Sequence, residues 1–302
     1  MTGIGKSTLA KIIFNQQYPR FGKYCSFLDD ISKMAKTKGL VKLQKQLLSN
    51  MSDSRVAWNI ENIDYGIDMI GETICNKQVL IVLDDVDDVN QIQELIGMKS
   101  LCPGTRILVT TRDKRVLKIR GFKYEIVPYE MEGLSYKDAL QLFSRHAFDS
   151  YPPPDNYDAL SKGIVSTAGG LPLALEAIGS SLFLQKEQKI WEEKLEQLRK
   201  TPNRDVLGKL RISYDALETD QQQIFIDIAC SLIGKKKADA IKRWRDHGLS
   251  PEDAIDVLIS RCMIKVTNDH RFSMHVQFKD FGKAIAHQER ESKSTKVKYD
   301  QI

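Results

Sequence analysis

Gly5-Lys6-Ser7-Thr8, close to the start of the chain, reads as the second half of a phosphate-binding loop, G-x-x-x-x-G-K-[ST]. In such a loop backbone N–H groups cradle phosphates, the Lys reaches the β- and γ-phosphates, and the Ser/Thr hydroxyl binds Mg²⁺. Gly3 lies in the same stretch, MTGIGKST, while the pattern's first Gly would stand one residue before Met1. The metal needs an acidic partner at the end of a neighbouring buried strand, and Asp84, closing the apolar run at residues 79–83, meets that description. Asp85 beside it is a candidate catalytic base for polarising an attacking water. An isolated Asp-Asp pair is more often a solvated turn; its position behind GIGKST at α/β spacing selects the chemical reading. Arg112 ends RILVTTR, at the strand edge where open α/β sheets bind ligands, so its guanidinium can sense a γ-phosphate. A surface ion pair accounts for the same arginine equally well on spacing alone.

Those side chains need elements that bring them to one place. Residues 7–14 read as the helix behind the loop, its N-terminus toward the phosphates. Residues 24–28 are a short β-prone run ending at Asp29-Asp30. Leu40, Leu43, Leu47, Leu48 and Met51 recur at helical spacing, as do Ile63, Ile67, Ile70 and Ile74. VLIVLDD, residues 79–85, is the continuous apolar pattern of a strand buried on both faces of a parallel sheet. Val89, Ile92, Leu95 and Ile96 form another helical face, broken by Pro103-Gly104. Residues 106–112 read as a further buried strand, and residues 124–127 as the last. Strands alternating with helices predict a doubly wound α/β domain over residues 1–134. Its first strand would lie ahead of Met1, which predicts a gap at the centre of the sheet.

From Ser135 the pattern is helical only. Ser135 with Asp138 resembles a capping box, the helix over residues 156–168 closes at Gly169-Gly170, and Pro172 stands where a first helical residue would. With Ile190, Trp191, Leu195 and Leu198 these give a small helical domain, residues 135–202. Residues 203–288 follow with helices at 206–217, 219–232 and 251–262. Two short strands then flank a turn at Asn268-Asp269, and Phe278, Phe281 and Ile285 fall at helical spacing. Helices followed by a hairpin read as a winged-helix domain. Residues 289–302 read as a polar tail or linker.

The 302 residues carry 45 basic against 40 acidic side chains, so the net charge of +5 is a small excess over mixed charge. That balance gives no reason to expect a nucleic acid or an anionic membrane as partner. The run of Lys235, Lys236, Lys237, Lys242, Arg243 and Arg245 is basic, but Asp239, Asp246, Glu252 and Asp253 lie beside it, as on a solvated charged face. Five scattered cysteines show no metal-ligand spacing and suit reduced thiols. No signal peptide is visible, and the longest apolar runs are too short to span a bilayer. The expectation is a soluble, cytoplasmic protein with no membrane partner.

In their order along the chain, these segments resemble the NB-ARC module of plant nucleotide-binding leucine-rich-repeat resistance proteins. The residues that carry the resemblance are GIGKST, FLDDISKMAKTKGLVKLQKQLLS at 27–49, VLIVLDDVDD at 79–88, GTRILVTTRD at 104–113 and YEMEGLSYKDALQLFSRHAF at 129–148. GGLPLALEAIGSSLF at 169–183, IFIDIAC at 224–230 and MHV at 274–276 complete it. Asp87, where the coiled-coil class has Trp, resembles the TIR class. The resemblance implies a molecular switch: ADP holds the α/β, helical and winged-helix domains closed, exchange for ATP opens them for self-oligomerisation, and slow hydrolysis resets the state. It implies that Gly3, Gly5, Lys6, Ser7 and Thr8 bind phosphates, that Ser7 and Asp84 hold Mg²⁺, and that Asp85 is the catalytic acidic residue. Arg112 becomes the γ-phosphate sensor, Pro172 packs near the base, and His275 contacts the ADP β-phosphate. A nuclear pool beside the cytoplasmic one fits such a receptor.

The chain also departs from the family pattern. The family's Met-His-Asp triplet is Met274-His275-Val276 here, and an apolar Val cannot supply the charge of an Asp. The resemblance then implies a weakened ADP lock. The loop's first Gly and its strand are expected to be missing, as are the TIR and leucine-rich-repeat domains of a full-length receptor. Two alternatives stand beside the switch: a truncated fragment that no longer binds nucleotide, and a P-loop ATPase that regulates transcription through its winged helix.

Overall fold

In the computed structural model residues 2–52, 59–97, 99–200 and 204–299 are described. The chain forms two compact units, one comprising Gly5–Glu130 and the other Met1–Ile4 with Met131–Ile302.

The first unit is a parallel three-stranded sheet with helices. Its elements are α1 (Lys6–Phe21), β1 (Cys25–Leu28), α2 (Ile31–Lys38), α3 (Leu40–Met51), α4 (Ile63–Asn76), β2 (Leu80–Val86), α5 (Val89–Ile96) and β3 (Arg106–Thr111). The strands run in the order β1-β2-β3, with Cys25 opposite Leu80 and Leu80 opposite Arg106. β2 is buried along nearly its whole length, which explains its unbroken apolar sequence. Leu28, Ile81 and Leu83 join a core with Leu43, Leu47, Leu48, Ile70, Ile74 and Leu95 from α3, α4 and α5. Cys25 and Leu80 pack separately with Phe14 and Phe21 of α1.

Two expectations fail in this unit. The gap at the centre of the sheet is not there, because β2 and β3 pair directly from Leu80–Arg106 to Leu83–Val109. That pairing satisfies backbone groups which a gap would strand in the interior. Residues 124–127 are not a strand either. Val127 is 77% exposed with no sheet face to cover it, Pro128 follows without an N–H, and the Tyr124 hydroxyl is taken up by the Leu101 N–H at 2.5 Å.

The second unit begins with α6 (Tyr136–Phe148), α7 (Asp158–Ala168), α8 (Pro172–Leu182) and α9 (Gln188–Lys200). Ser135 caps α6, accepting the Asp138 N–H and donating to the Asp138 carboxylate at 2.7 Å. Trp191, fully buried, stacks on Phe148 at 4.9 Å and meets Phe143 edge-on at 6.1 Å, tying α9 to α6. The unit continues with α10 (Arg204–Asp215), α11 (Thr219–Asp227), a wider helical turn over Ile228–Leu232, α12 (Lys237–Asp246) and α13 (Pro251–Ser260). The hairpin of β4 (Lys265–Val266) and β5 (Phe272–Ser273) leads into α14 (Val276–Tyr299). Phe225 of α11 meets Phe278 and Phe281 of α14, as the helical spacing predicts.

The backbone from Glu289 to Tyr299 continues the helix of α14. The basic run at Lys235–Arg245 is mostly α12, anchored by buried Ala240 and Trp244, with the Trp244 indole N–H donating to Asp227 at 2.8 Å.

Candidate functional site

The candidate phosphate and metal residues of the first unit converge because β2 breaks its register at its carboxyl end. Leu83 pairs with Val109 but Val86 pairs with Thr111, so Asp84 and Asp85 together face Thr110 across a β-bulge. Asp85 adopts a left-handed backbone, φ 54°, and donates its N–H to Thr110 Oγ1 at 2.9 Å. The Thr110 hydroxyl in turn donates to Asp84 Oδ1 at 2.6 Å. Asp84 is 3% exposed. Burial raises its carboxyl above the ordinary range, the hydroxyls of Thr110 and Ser7 counteract that by donating to it, and the nearby Asp29 carboxyl adds to the rise. Asp85 is held in a two-pronged ion pair, with Arg112 Nε 3.0 Å from Oδ1 and Nη2 2.8 Å from Oδ2.

Helix α1 starts directly behind this network. Gly5 is its N-cap with φ 96°, a left-handed conformation that glycine adopts without strain, and no side chain caps the first turn. The backbone N–H groups there fit an anion, with the helix dipole behind them. Ser7 bonds Asp84, so a hydroxyl and a carboxylate oxygen meet where a hard divalent cation could lie. Among the described residues no cluster of three or more His, Cys, Asp or Glu could hold a metal alone. Two protein oxygens suit Mg²⁺, which takes most of its remaining ligands from water and phosphate. Lys6 is half-buried and Thr8 exposed on the same turn.

Two members of this network were not singled out from sequence. Thr110 carried a readable signal: it stands two residues before Arg112, as a hydroxyl at the end of an apolar run. Asp29 ends β1 at the same carboxyl edge as Asp84 and pairs with Lys11 at 3.6 Å. Asp87, the TIR-class mark, accepts Ser32 Oγ at 2.6 Å, Lys36 Nζ at 2.6 Å and Gln91 Nε2 at 2.7 Å. It therefore joins α2 to α5.

The remaining candidates lie in the second unit. Gly3, φ 75°, approaches the start of α8 so closely that a Cβ there would fall 2.8 Å from Leu173 Cβ. The Leu173 N–H donates to Gly3 O at 3.3 Å, and Pro172 is the first residue of that helix. The glycine stretch thus crosses from one unit to the other between Ile4 and Gly5. His275 Nδ1 accepts the Gln277 N–H at 3.2 Å, so Nε2 carries the proton and donates to Gly169 O at 2.8 Å. Burial lowers the His275 pKa, only partly offset by that carbonyl. Val276 sits on Gly169, φ 60°, so closely that a Cβ there would overlap Val276 Cγ1. Gln277, 4% exposed, donates to Thr167 O at 2.8 Å. The end of α7 and the start of α14 are therefore clasped by three consecutive side chains.

A parallel sheet with a glycine-started helix at its carboxyl edge, an acidic pair on the middle strand and a following helical and winged-helix portion define a P-loop nucleotide-binding protein. The chain belongs to the NB-ARC domain family, which matches residues 1–151, and residues 218–290 match the winged-helix domain of Roq1-like disease resistance proteins. It is 36% identical over 281 residues to disease resistance protein RUN1 of Vitis rotundifolia, covering 93% of this chain and 21% of that protein. The TMV resistance protein N of Nicotiana glutinosa is 33% identical over 293 residues, 94% of this chain and 25% of that one. The chain thus spans about a fifth to a quarter of these relatives' length. The fold is similar to that of a Walker-type ATPase of Pyrococcus abyssi, at TM-score 0.62 and 12% identity over 94% of this chain and 89% of that one. No described helix is long and apolar enough to cross a membrane.

Proposed function

We propose that this chain is the ADP/ATP-binding switch module of an intracellular plant immune receptor, working in the cytoplasm and in a nuclear pool of the receptor. The observation that carries the reading is the bonded series Ser7–Asp84–Thr110–Asp85–Arg112 behind an uncapped α1. Gly3, Gly5, Lys6, Ser7 and Thr8 serve the phosphates. Ser7 and Asp84 would hold Mg²⁺, which when bound would neutralise phosphate charge. Asp85 orients a water, and as a switch the chain is at most a slow ATPase. Arg112 reads the γ-phosphate, so ATP and ADP engage it unequally, and unequal engagement is what a two-state switch requires. Pro172 and His275 serve the base and the β-phosphate. For His275 that means exchanging the Gly169 carbonyl for phosphate at Nε2. The TIR and leucine-rich-repeat domains of a full-length receptor and self-oligomerisation are the partners this role implies.

The test is titration of fluorescent ADP and ATP into the purified protein, with circular dichroism as the folding control. Saturable binding that disappears in Lys6→Ala supports the reading. A folded wild-type protein with no affinity for either nucleotide refutes it.

A further inference from the structure

We propose that Thr110 is a positioning residue that fixes both acidic side chains of the site through one hydroxyl, an inference that rests on the nucleotide-binding reading. Thr110 is 8% exposed, so its hydroxyl has to find its partners inside the protein. It has one proton to give and two lone pairs. The proton goes to Asp84 Oδ1 at 2.6 Å, and a lone pair takes the Asp85 N–H at 2.9 Å.

The neighbouring threonine shows what an ordinary strand threonine does here. Thr111 Oγ1 donates to the Val86 backbone carbonyl at 2.7 Å and accepts the Asp113 N–H at 3.0 Å, closing the end of the strand and the turn after it. Among the described residues, both bonds of the Thr110 hydroxyl go to the Asp84-Asp85 pair and none to a carbonyl.

Each bond has a separate consequence. The bond to Oδ1 fixes the rotation of the Asp84 carboxylate and so determines which oxygen directions stay open toward Ser7 and a cation. The bond from the Asp85 N–H secures a left-handed residue that is not glycine, a conformation an L side chain rarely adopts. That conformation carries the Asp85 carboxylate to Arg112, where it is forked at 3.0 and 2.8 Å. Without the hydroxyl, Asp84 loses its fixed orientation, and Asp85 loses the anchor of its turn. Thr110 acts through the two carboxylates it bonds.

The experiment measures ADP and ATP affinity in excess Mg²⁺ and again in EDTA, for the wild type, Thr110→Val, Thr110→Ser and Thr111→Val. Valine matches threonine in shape and lacks only the hydroxyl. Thr110→Val is expected to lose about tenfold of the affinity gained from Mg²⁺, as for a bond to a charged group, with affinity in EDTA unchanged. Thr110→Ser restores the gain. Thr111→Val lowers the melting temperature and leaves the ratio of the two affinities alone. Should Thr110→Val not fold, Thr110→Ala in the same two buffers takes its place. Folded Thr110→Val or Thr110→Ala with the wild-type Mg²⁺ gain overturns the inference while nucleotide binding stands. A wild type that binds no nucleotide in either buffer overturns the nucleotide reading and this role together.

Discussion

Replacing Arg112 with Gln separates its two partners, and the structure sets the size of each effect. The guanidinium forks onto Asp85 with two bonds of 2.8–3.0 Å, while the two side chains are 32% and 28% exposed. Fully exposed pairs contribute about 0.2–1 kcal/mol, and the paired geometry with partial burial places this one near the top, at about 1 kcal/mol. Gln shortens the reach and removes the charge, so the melting temperature is expected to fall by a few degrees, roughly 2–5 °C. The functional effect differs in kind. If the guanidinium reads a γ-phosphate, Arg112→Gln lowers ATP affinity about tenfold or more and leaves ADP affinity within about a factor of two. Arg112→Lys keeps the charge without the fork and should fall between. The assay is competitive displacement of fluorescent ADP by unlabelled ATP and ADP for the three proteins, with melting curves alongside. Equal loss of ATP and ADP affinity would mean that Arg112 acts only by holding Asp85, and the sensor role would fall.

Asp87→Asn removes the charge that draws Ser32, Lys36 and Gln91 together, and is expected to cost about 1 kcal/mol by urea unfolding, discounted because the side chain is 36% exposed. Burial alone would raise the Asp87 pKa, but the bonds from Lys36, Ser32 and Gln91 outweigh it and the native value lies below 3.8; its stabilisation is therefore present above that value and is lost as pH falls through the native one, a loss Asp87→Asn should not show. His275 has the opposite sign: its native pKa is held below 6.5, the unfolded chain takes the proton first, and stability falls as pH drops below about 6.5. His275→Gln should flatten the melting-temperature slope between pH 7.5 and 5.5, and an unchanged slope would remove His275 as its source. Val276→Asp, which restores the family's residue beside Gly169, is expected to slow ADP release in a stopped-flow chase; identical release rates would show that this position does not govern the lock.

The parts of the fold that showed in the sequence are those where a single local constraint dictates residue type. β2 is buried on both faces, so residues 79–83 had to be apolar, and its carboxylates stand out for that reason alone. Gly169 closes α7 in a left-handed turn, and Pro172 opens α8 where no N–H is needed; each follows from backbone geometry within a few residues. α12 stayed hidden because only Ala240 and Trp244 of its ten residues are buried, too few to stand out as a face among lysines and arginines. α2 buries only Ile31 and Ser32 and has the same weakness.

The site shows the same division more sharply. The types of its residues were readable, since phosphate and metal chemistry select Lys, Ser and Asp at fixed offsets. Their connections were not, because these depend on which strand lies beside which. The sequence pattern pointed to a sheet split at its centre, whereas β3 lies directly against β2, and only that adjacency puts Thr110 between Asp84 and Asp85 and Arg112 on the latter. The bulge that admits two aspartates opposite one threonine arises from the pairing and cannot be seen in either strand alone. His275 and Gly169 make the same point at longer range: the two are 106 residues apart, and neither identifies its partner until α7 and α14 are packed. Residue chemistry therefore indicated what the site could bind, while strand adjacency decides which side chain orients which. It is at Thr110, a residue no phosphate motif requires, that these two levels meet.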